Sequence, residues 1–144
     1  MDYSYKYPRP SVSVDIMIFH KSTKGVEILL ITRKNSPFQN FYALPGGFMD
    51  MDETLLQAAI RELKEETNID CNSLHQFGLY DAPDRDPRGR TLSVIYFTVL
   101  DEIPSTIKAG DDALRSRWFP LNSLPELAFD HTKILQDAHR LFEQ

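Results

Sequence analysis

Residues 47–69 read GFMDMDETLLQAAIRELKEETNI, and the fold of the chain turns on how they are read. Leu55, Ala59 and Leu63 recur at i, i+4 and i+8, and Leu56 and Ile60 widen the same stripe, so an amphipathic helix is expected over residues 53–67. Acids at Asp50, Asp52 and Glu53 suit its N-terminus, where the helix dipole is positive. Toward the other end, Glu62, Glu65 and Glu66 stand at i, i+3 and i+4 and share one face. That arrangement opposes local stability: Glu62 and Glu66 repel by roughly 0.2–0.5 kcal/mol, and acids near a helix C-terminus oppose the macrodipole by a similar few tenths. Arg61 reaches Glu65 at i+4 and leaves Glu62 and Glu66 without an obvious partner on the helix. A bound divalent cation resolves the conflict, and with no Cys or His at ligand spacing the oxygen cluster suits Mg²⁺ or Mn²⁺ rather than Zn²⁺. A solvated acidic face is the plainer alternative.

Outward from the helix, residues 12–19 alternate Val12, Val14, Ile16 and Ile18 against Ser13, Asp15, Met17 and Phe19, and residues 26–32 add VEILLIT after Lys24-Gly25. These read as two strands that suit a hairpin. Residues 35–39 read as loop and residues 41–44 as a short strand. Pro45-Gly46-Gly47 reads as a turn, because proline and paired glycines suit neither regular element. Further strands are expected at residues 74–80, 92–100 and 114–119. A second helix is expected from Asp130, a candidate N-cap, burying Ile134, Leu135, Ala138, Leu141 and Phe142. Strands interleaved with one early and one terminal helix give an α/β domain whose mixed sheet is covered on two sides.

Residues 1–144 fit a single domain, since 42% hydrophobic residues can fill one core and neither repeats nor a linker interrupt the chain. Sixteen basic against twenty-one acidic residues give a net charge of −5, which argues against binding nucleic acid or anionic membrane by bulk charge. Cys71 is alone, so no intrachain disulfide forms and a reducing compartment fits. With no apolar leader at the N-terminus and no apolar run near the ~18 residues of a membrane span, a cytoplasmic location is the expectation.

The stretch 47–69 resembles the signature of the Nudix hydrolase family: Gly47, Glu53, Arg61, Glu62, Leu63, Glu65, Glu66 and Ile69 hold its positions. Only Asn68 departs, standing where the pattern has Gly, and Asn is the non-Gly residue that best tolerates a left-handed backbone past a helix end. The resemblance implies an α/β/α sandwich around a central mixed β-sheet, and hydrolysis of a nucleoside diphosphate linked to another moiety. It also implies that Glu62, Glu65 and Glu66, with the backbone carbonyl of Gly47, hold Mg²⁺, with Mn²⁺ as the alternative. Arg61 would orient the carboxylates, and Glu53, one or two turns upstream, would be a metal ligand or the base. A pyrophosphate repels nucleophiles, so cations must bridge its oxygens and a carboxylate must take the proton of the attacking water. Glu53 and Glu66 rank first as base, ahead of Asp101, Glu102, Asp111 and Asp112.

Arg85, Arg88 and Arg90 fall within six residues, in a loop that Pro87 and Gly89 force to turn. Convergence on phosphates and ordinary pairing with Asp81, Asp84 and Asp86 both fit this pattern. The segment 82–90, with Ala109-Gly-Asp-Asp-Ala113, Trp118-Phe-Pro120 and Leu127-Ala-Phe-Asp-His131, resembles the ADP-ribose pyrophosphatase-like group of the family. That resemblance implies splitting of ADP-ribose to AMP and ribose 5-phosphate, with Arg85, Arg88, Arg90, Gly46 and Gly47 contacting a nucleoside diphosphate sugar. The rivals are a nucleoside triphosphate pyrophosphohydrolase that cleans the nucleotide pool, and an ADP-ribose sensor serving a transcriptional partner. No direct contact with nucleic acid is expected, since the 14 residues after Asp130 leave no room for a winged-helix module. Trp118 and Phe119 read first as core, His131 as structural, and Asp111-Asp112 as a turn. Related proteins are commonly dimers; Tyr3, Tyr5 and Tyr7 suit a homodimer interface, stacking on adenine, or a loosely packed tail.

Overall fold

The computed structural model describes residues 2–104 and 115–143. Strand β1 (Ser11–Ser22) and β2 (Gly25–Thr32) form the expected antiparallel hairpin, with Phe19 opposite Ile28 and Ser22 opposite Gly25. Beyond that hairpin, β1 runs parallel to β6 (Thr91–Leu100) over its whole upper length, from Ser11 opposite Thr91 to His20 opposite Leu100. This one parallel pairing makes the sheet mixed. On the far edge of β6 lies antiparallel β5 (His75–Tyr80), and β2 carries β3 (Tyr42–Ala43) and β7 (Ser116–Pro120).

The hairpin ladder stops at Phe19 and Ile28, which leaves the first half of β1 free on that side. Strand β4 (Gly46–Phe48) fills it, pairing antiparallel with residues 13–15. The Pro45-Gly46-Gly47 turn expected from the sequence is therefore corrected: both glycines lie in β4, only Leu44 and Pro45 separate it from β3, and the Pro45 carbonyl accepts from the Ile16 N–H at 2.9 Å. A Cβ at Gly46 would collide with the Val14 carbonyl and the Asp15 side chain. The glycine serves close backbone approach here, a role that composition does not separate from turning.

Helix α1 (Leu55–Thr67) starts at the Thr54 N-cap, whose side chain accepts from Gln57 N while the Gln57 side chain accepts from Thr54 N. This reciprocal cap ends the helix at its N-terminal side, so Glu53 stands in the preceding loop rather than on the helix as expected. At the other end Asn68 adopts the left-handed conformation, φ 63°, as the resemblance implied. The last helix, α2 (His131–Ala138), passes into a 3₁₀ turn over His139–Phe142.

Both faces of β1 are buried, which is why its polar alternation reads weakly. Val14, Ile16 and Ile18 pack with Ala58, Ala59 and Leu63 of α1. Met17 and Phe19, on the opposite face, join Ile28, Leu30, Ile134, Leu135 and Ala138 under α2. The result is the expected α/β/α sandwich around a mixed sheet. Ser13 and Asp15 continue the α2-facing side of β1 past the end of its apolar core, and both are buried. No helix among the described residues is long and apolar enough to cross a membrane.

Candidate functional site

Arg61 organises the acidic face of α1. Its guanidinium donates to Glu53 at 2.5 and 3.0 Å, to Glu62 at 2.8 Å, to Glu65 at 3.2 Å and to the Phe48 carbonyl at 3.2 Å. The sequence had offered it only Glu65. Glu53 also accepts from the Asp50 N–H at 2.8 Å. Held by the Arg61 hydrogen bonds and this N–H, its carboxyl is pulled down to about 2. Glu65 is largely exposed on the outer side of the same arginine.

Glu62 and Glu66 behave differently because they turn inward. Burial pushes Glu62 above the usual carboxylate range although Arg61 opposes the shift. Burial, and then the charge of Glu62, push Glu66 up to about 6, against the pull of Arg115, the Gly46 N–H and Arg33. The Glu62 carboxylate packs on Gly47 so closely that a Cβ there would stand 2.5 Å from Oε1. Desolvated, mutually repelling carboxylates beside an open backbone are the donor type of a hard divalent cation, so the residues present fit one. In their present rotamers no three His, Cys, Asp or Glu side chains among the described residues already converge to metal-ligating spacing. Arg61 accounts for this by drawing Glu53, Glu62 and Glu65 to itself.

Glu66 opens into a cavity of about 150 Å³ whose floor is β1 and β4 and whose walls include Arg33, Arg85, Arg88 and Phe129. Gly46 and Gly47 line it directly. The three loop arginines part company. Arg85 is buried and fully engaged: it donates in a fork to Asp130 at 2.7 and 2.9 Å and to Ser93 Oγ at 2.6 Å. Arg88 pairs with Asp86 at 2.8 Å yet keeps its guanidinium over the Phe48 and Phe129 rings, 5.0 and 5.2 Å from their centroids. Arg90 donates to the Asp81 carbonyl at 2.6 Å and is not among the cavity's lining residues.

Several lining groups were not among the site residues expected from the sequence. Arg33, at the end of β2, donates to the Pro37 carbonyl at 2.9 Å, and its guanidinium lies 4.8 Å from the Phe129 centroid. Burial first, then Arg88, lower its pKa. Phe129 holds a left-handed backbone, φ 53°, which costs a bulky residue energy and persists only where surroundings enforce it. Asp15 is pushed up to about 7 by burial, with Asp130, Glu66 and Glu62 adding to the effect. Beside it, His131 accepts the Leu44 N–H on Nδ1 at 3.0 Å, which leaves the proton on Nε2, 3.7 Å from Asp15. Burial lowers His131 to about 4, so the imidazole stays neutral and the contact is a polar approach rather than a salt bridge. Asp101 and Glu102 are exposed. Asp111 and Asp112, together with the segment 109–113, lie outside the described residues.

The family model described as the NUDIX domain matches residues 9–138. Over 134 residues the chain is 48% identical to an ADP-ribose pyrophosphatase of Methanocaldococcus jannaschii, covering 93% of this chain and 76% of that protein. It is 38% identical over 140 residues to the ADPR responsive transcriptional repressor NtrR of Acinetobacter baylyi, covering 92% of this chain but only 54% of the repressor. Among solved structures, it resembles a bifunctional NMN adenylyltransferase/ADP ribose pyrophosphatase of Francisella tularensis complexed with AMP and a Mn ion. There the TM-score is 0.79 at 34% identity, over 96% of this chain and 44% of that one.

Proposed function

The chain belongs to the NUDIX family, whose hydrolases depend on divalent metal, and from that premise we propose that it cleaves the pyrophosphate of ADP-ribose to AMP and ribose 5-phosphate with Mg²⁺. One observation carries the reading: the desolvated Glu66, with Glu62 one turn behind it, opens into a cavity walled by Arg33 and Arg88. Carboxylates for a cation and guanidinium groups for an anion thus meet in one site. The identity to the M. jannaschii pyrophosphatase supports ADP-ribose as the substrate. Two cores built on one sheet support reading residues 1–144 as a single domain.

Glu62, Glu65, Glu66 and the Gly47 carbonyl would hold the cation, which supplies charge neutralisation of the pyrophosphate and a lowered pKa for the attacking water. Arg61 keeps Glu53, Glu62 and Glu65 in register through its hydrogen bonds. Glu66, poised at about 6, is a carboxylate that can accept a proton near neutral pH. Glu53, pulled down to about 2, is a poor base and acts by positioning Arg61. Arg33 and Arg88 receive the anionic oxygens, with Phe129 as the surface that spaces them. Arg85 fixes Asp130 at the start of α2 and so shapes the wall.

Product analysis tests the proposal. Purified protein with millimolar Mg²⁺ is expected to release AMP and ribose 5-phosphate from ADP-ribose, and EDTA is expected to stop it. Tight ADP-ribose binding without product would instead support the sensor reading that the A. baylyi repressor raises. Faster turnover of oxidised nucleoside triphosphates would support a nucleotide-pool enzyme.

A further inference from the structure

The cavity at Glu66 holds about 150 Å³, well below the roughly 300–1,000 Å³ of pockets that enclose ligands of such size. A dinucleotide-sized substrate therefore extends beyond it. Phe48 marks the direction. Its ring lies 5.0 Å from the Arg88 guanidinium on the cavity wall, and the same residue lines a second, open hollow of about 770 Å³. The hollows at the β1–β2 turn and near residues 39–42 share no lining residue with the cavity.

The second hollow lies between the N-terminal segment and the residues that follow β4, bounded by Tyr5, Tyr7, Pro8, Met49 and Met51. Its lining is aromatic, thioether and proline surface, and no carboxylate contributes to it. Tyr5, Tyr7 and Met51 are 43%, 69% and 72% exposed, so large apolar side chains stand uncovered beside the strand that carries Gly46 and Gly47. The only charges are those of Lys6 and Arg9, and the Arg9 guanidinium lies 4.0 Å from the Tyr5 centroid. Such a surface suits a flat heterocycle that stacks. It offers little to a free sugar, whose hydroxyl groups need polar partners.

We infer that this hollow is the subsite for the purine base of the substrate, reached past Phe48 from the diphosphate held between Arg33 and Arg88. The inference rests on the proposed cleavage of a nucleoside diphosphate sugar, and it assigns Tyr5 and Tyr7 a binding role. The base enters by stacking, so recognition there tolerates changes at the edge of the ring better than loss of the ring.

Calorimetric titration of the full chain with AMP and with ribose 5-phosphate tests this, comparing unmodified protein with Tyr5→Ala/Tyr7→Ala and, separately, Met51→Ala. These side chains are exposed, and circular dichroism checks that the variants remain folded. In the double tyrosine variant AMP affinity is expected to fall about tenfold, the KM for ADP-ribose to rise by a similar factor, and ribose 5-phosphate binding to stay within twofold. Met51→Ala is expected to weaken AMP in the same direction. Unchanged AMP affinity in the double variant overturns the subsite. So does a halved mass in sedimentation with AMP affinity intact, which would give the tyrosines to a second copy of this chain. Absent turnover with AMP binding that still depends on the tyrosines would refute the hydrolase reading and leave the subsite standing. Failure of the unmodified protein to bind AMP refutes the subsite directly.

Discussion

Glu66 stands under two opposed demands, charge for a cation and burial within a protein wall, and its pKa of about 6 expresses the conflict. Removing the charge is expected to separate them. Glu66→Gln should lower kcat on the order of 10²–10⁴-fold and yet melt higher than the unmodified protein at pH 8 without metal. The sign follows from linkage: the folded pKa lies above the ordinary 4.5, so the native state binds more protons and is penalised at high pH. As pH falls through about 6 the native carboxyl protonates, and the advantage of the variant should fade by pH 5. Melting curves at the two pH values check this; an equal advantage at both would remove burial as the cause. Glu53 carries the opposite sign, since its pairing with Arg61 is present above the ordinary carboxylate pKa and is lost only toward pH 2. Arg33 donates to backbone carbonyls, and burial, then the charge of Arg88, lowers its pKa. Arg33→Gln is expected to raise the KM for ADP-ribose about tenfold or more, because an anion loses a charge-assisted donor; steady-state kinetics with an unchanged KM would remove Arg33 from the site.

The start and end of α1 are fixed by local chemistry, and that chemistry aims the carboxylates. The Thr54–Gln57 box sets where the first turn begins, and the turns that follow bring Glu62 and Glu66 against Gly47 and Gly46. Thr54→Ala is expected to cost about 1 kcal/mol, measured by chemical denaturation, with a smaller loss of activity than any change to the glutamates. A cost near zero would mean that packing of Ala58, Ala59 and Leu63, not the cap, sets the helix start. Strand β4 supplies the other half of the site. Its three residues fill the edge of β1 that the hairpin leaves open, and only glycine at 46 lets the two backbones approach so closely. The cation and anion sides of the cavity therefore come from one helix and from loops that β1, β2 and α2 hold in place.

Across the whole molecule, the repulsion gathered at Glu62 and Glu66 predicts that stability is linked to metal. Saturating Mg²⁺ is expected to raise the melting temperature of the unmodified protein, since a ligand that binds only the folded state stabilises it, and EDTA should reverse the rise. The shift should largely vanish in Glu66→Gln, as calorimetry would show; an equal shift in both would place the cation elsewhere. The helix, its acidic face and the left-handed Asn68 were legible in the sequence because they depend on contacts within a few residues, where 3.6-residue periodicity and spacing carry the information. The hairpin and the apolar stripe of α2 were legible for the same reason. Glu53 was misplaced onto the helix because a capping box competes with acidic residues for the same N-terminal role, and β4 was read as a turn because glycine serves both turning and close approach. The loop arginines were equally ambiguous: Arg85, Arg88 and Arg90 look alike in sequence, yet Arg85 lines the cavity locked onto Asp130, Arg88 lines it over two aromatic rings, and Arg90 is held by the Asp81 carbonyl away from it. Asp15, Arg33, Phe129 and His131 come from strands and loops far apart in the chain, so only the parallel register of β1 and β6 and the docking of α2 brought them to one cavity. Sequence alone determined the local elements and the acidic face, because those forces act between near neighbours. Tertiary structure decided which charges are neutralised and which stay free for a ligand, because burial and long-range pairing set that balance.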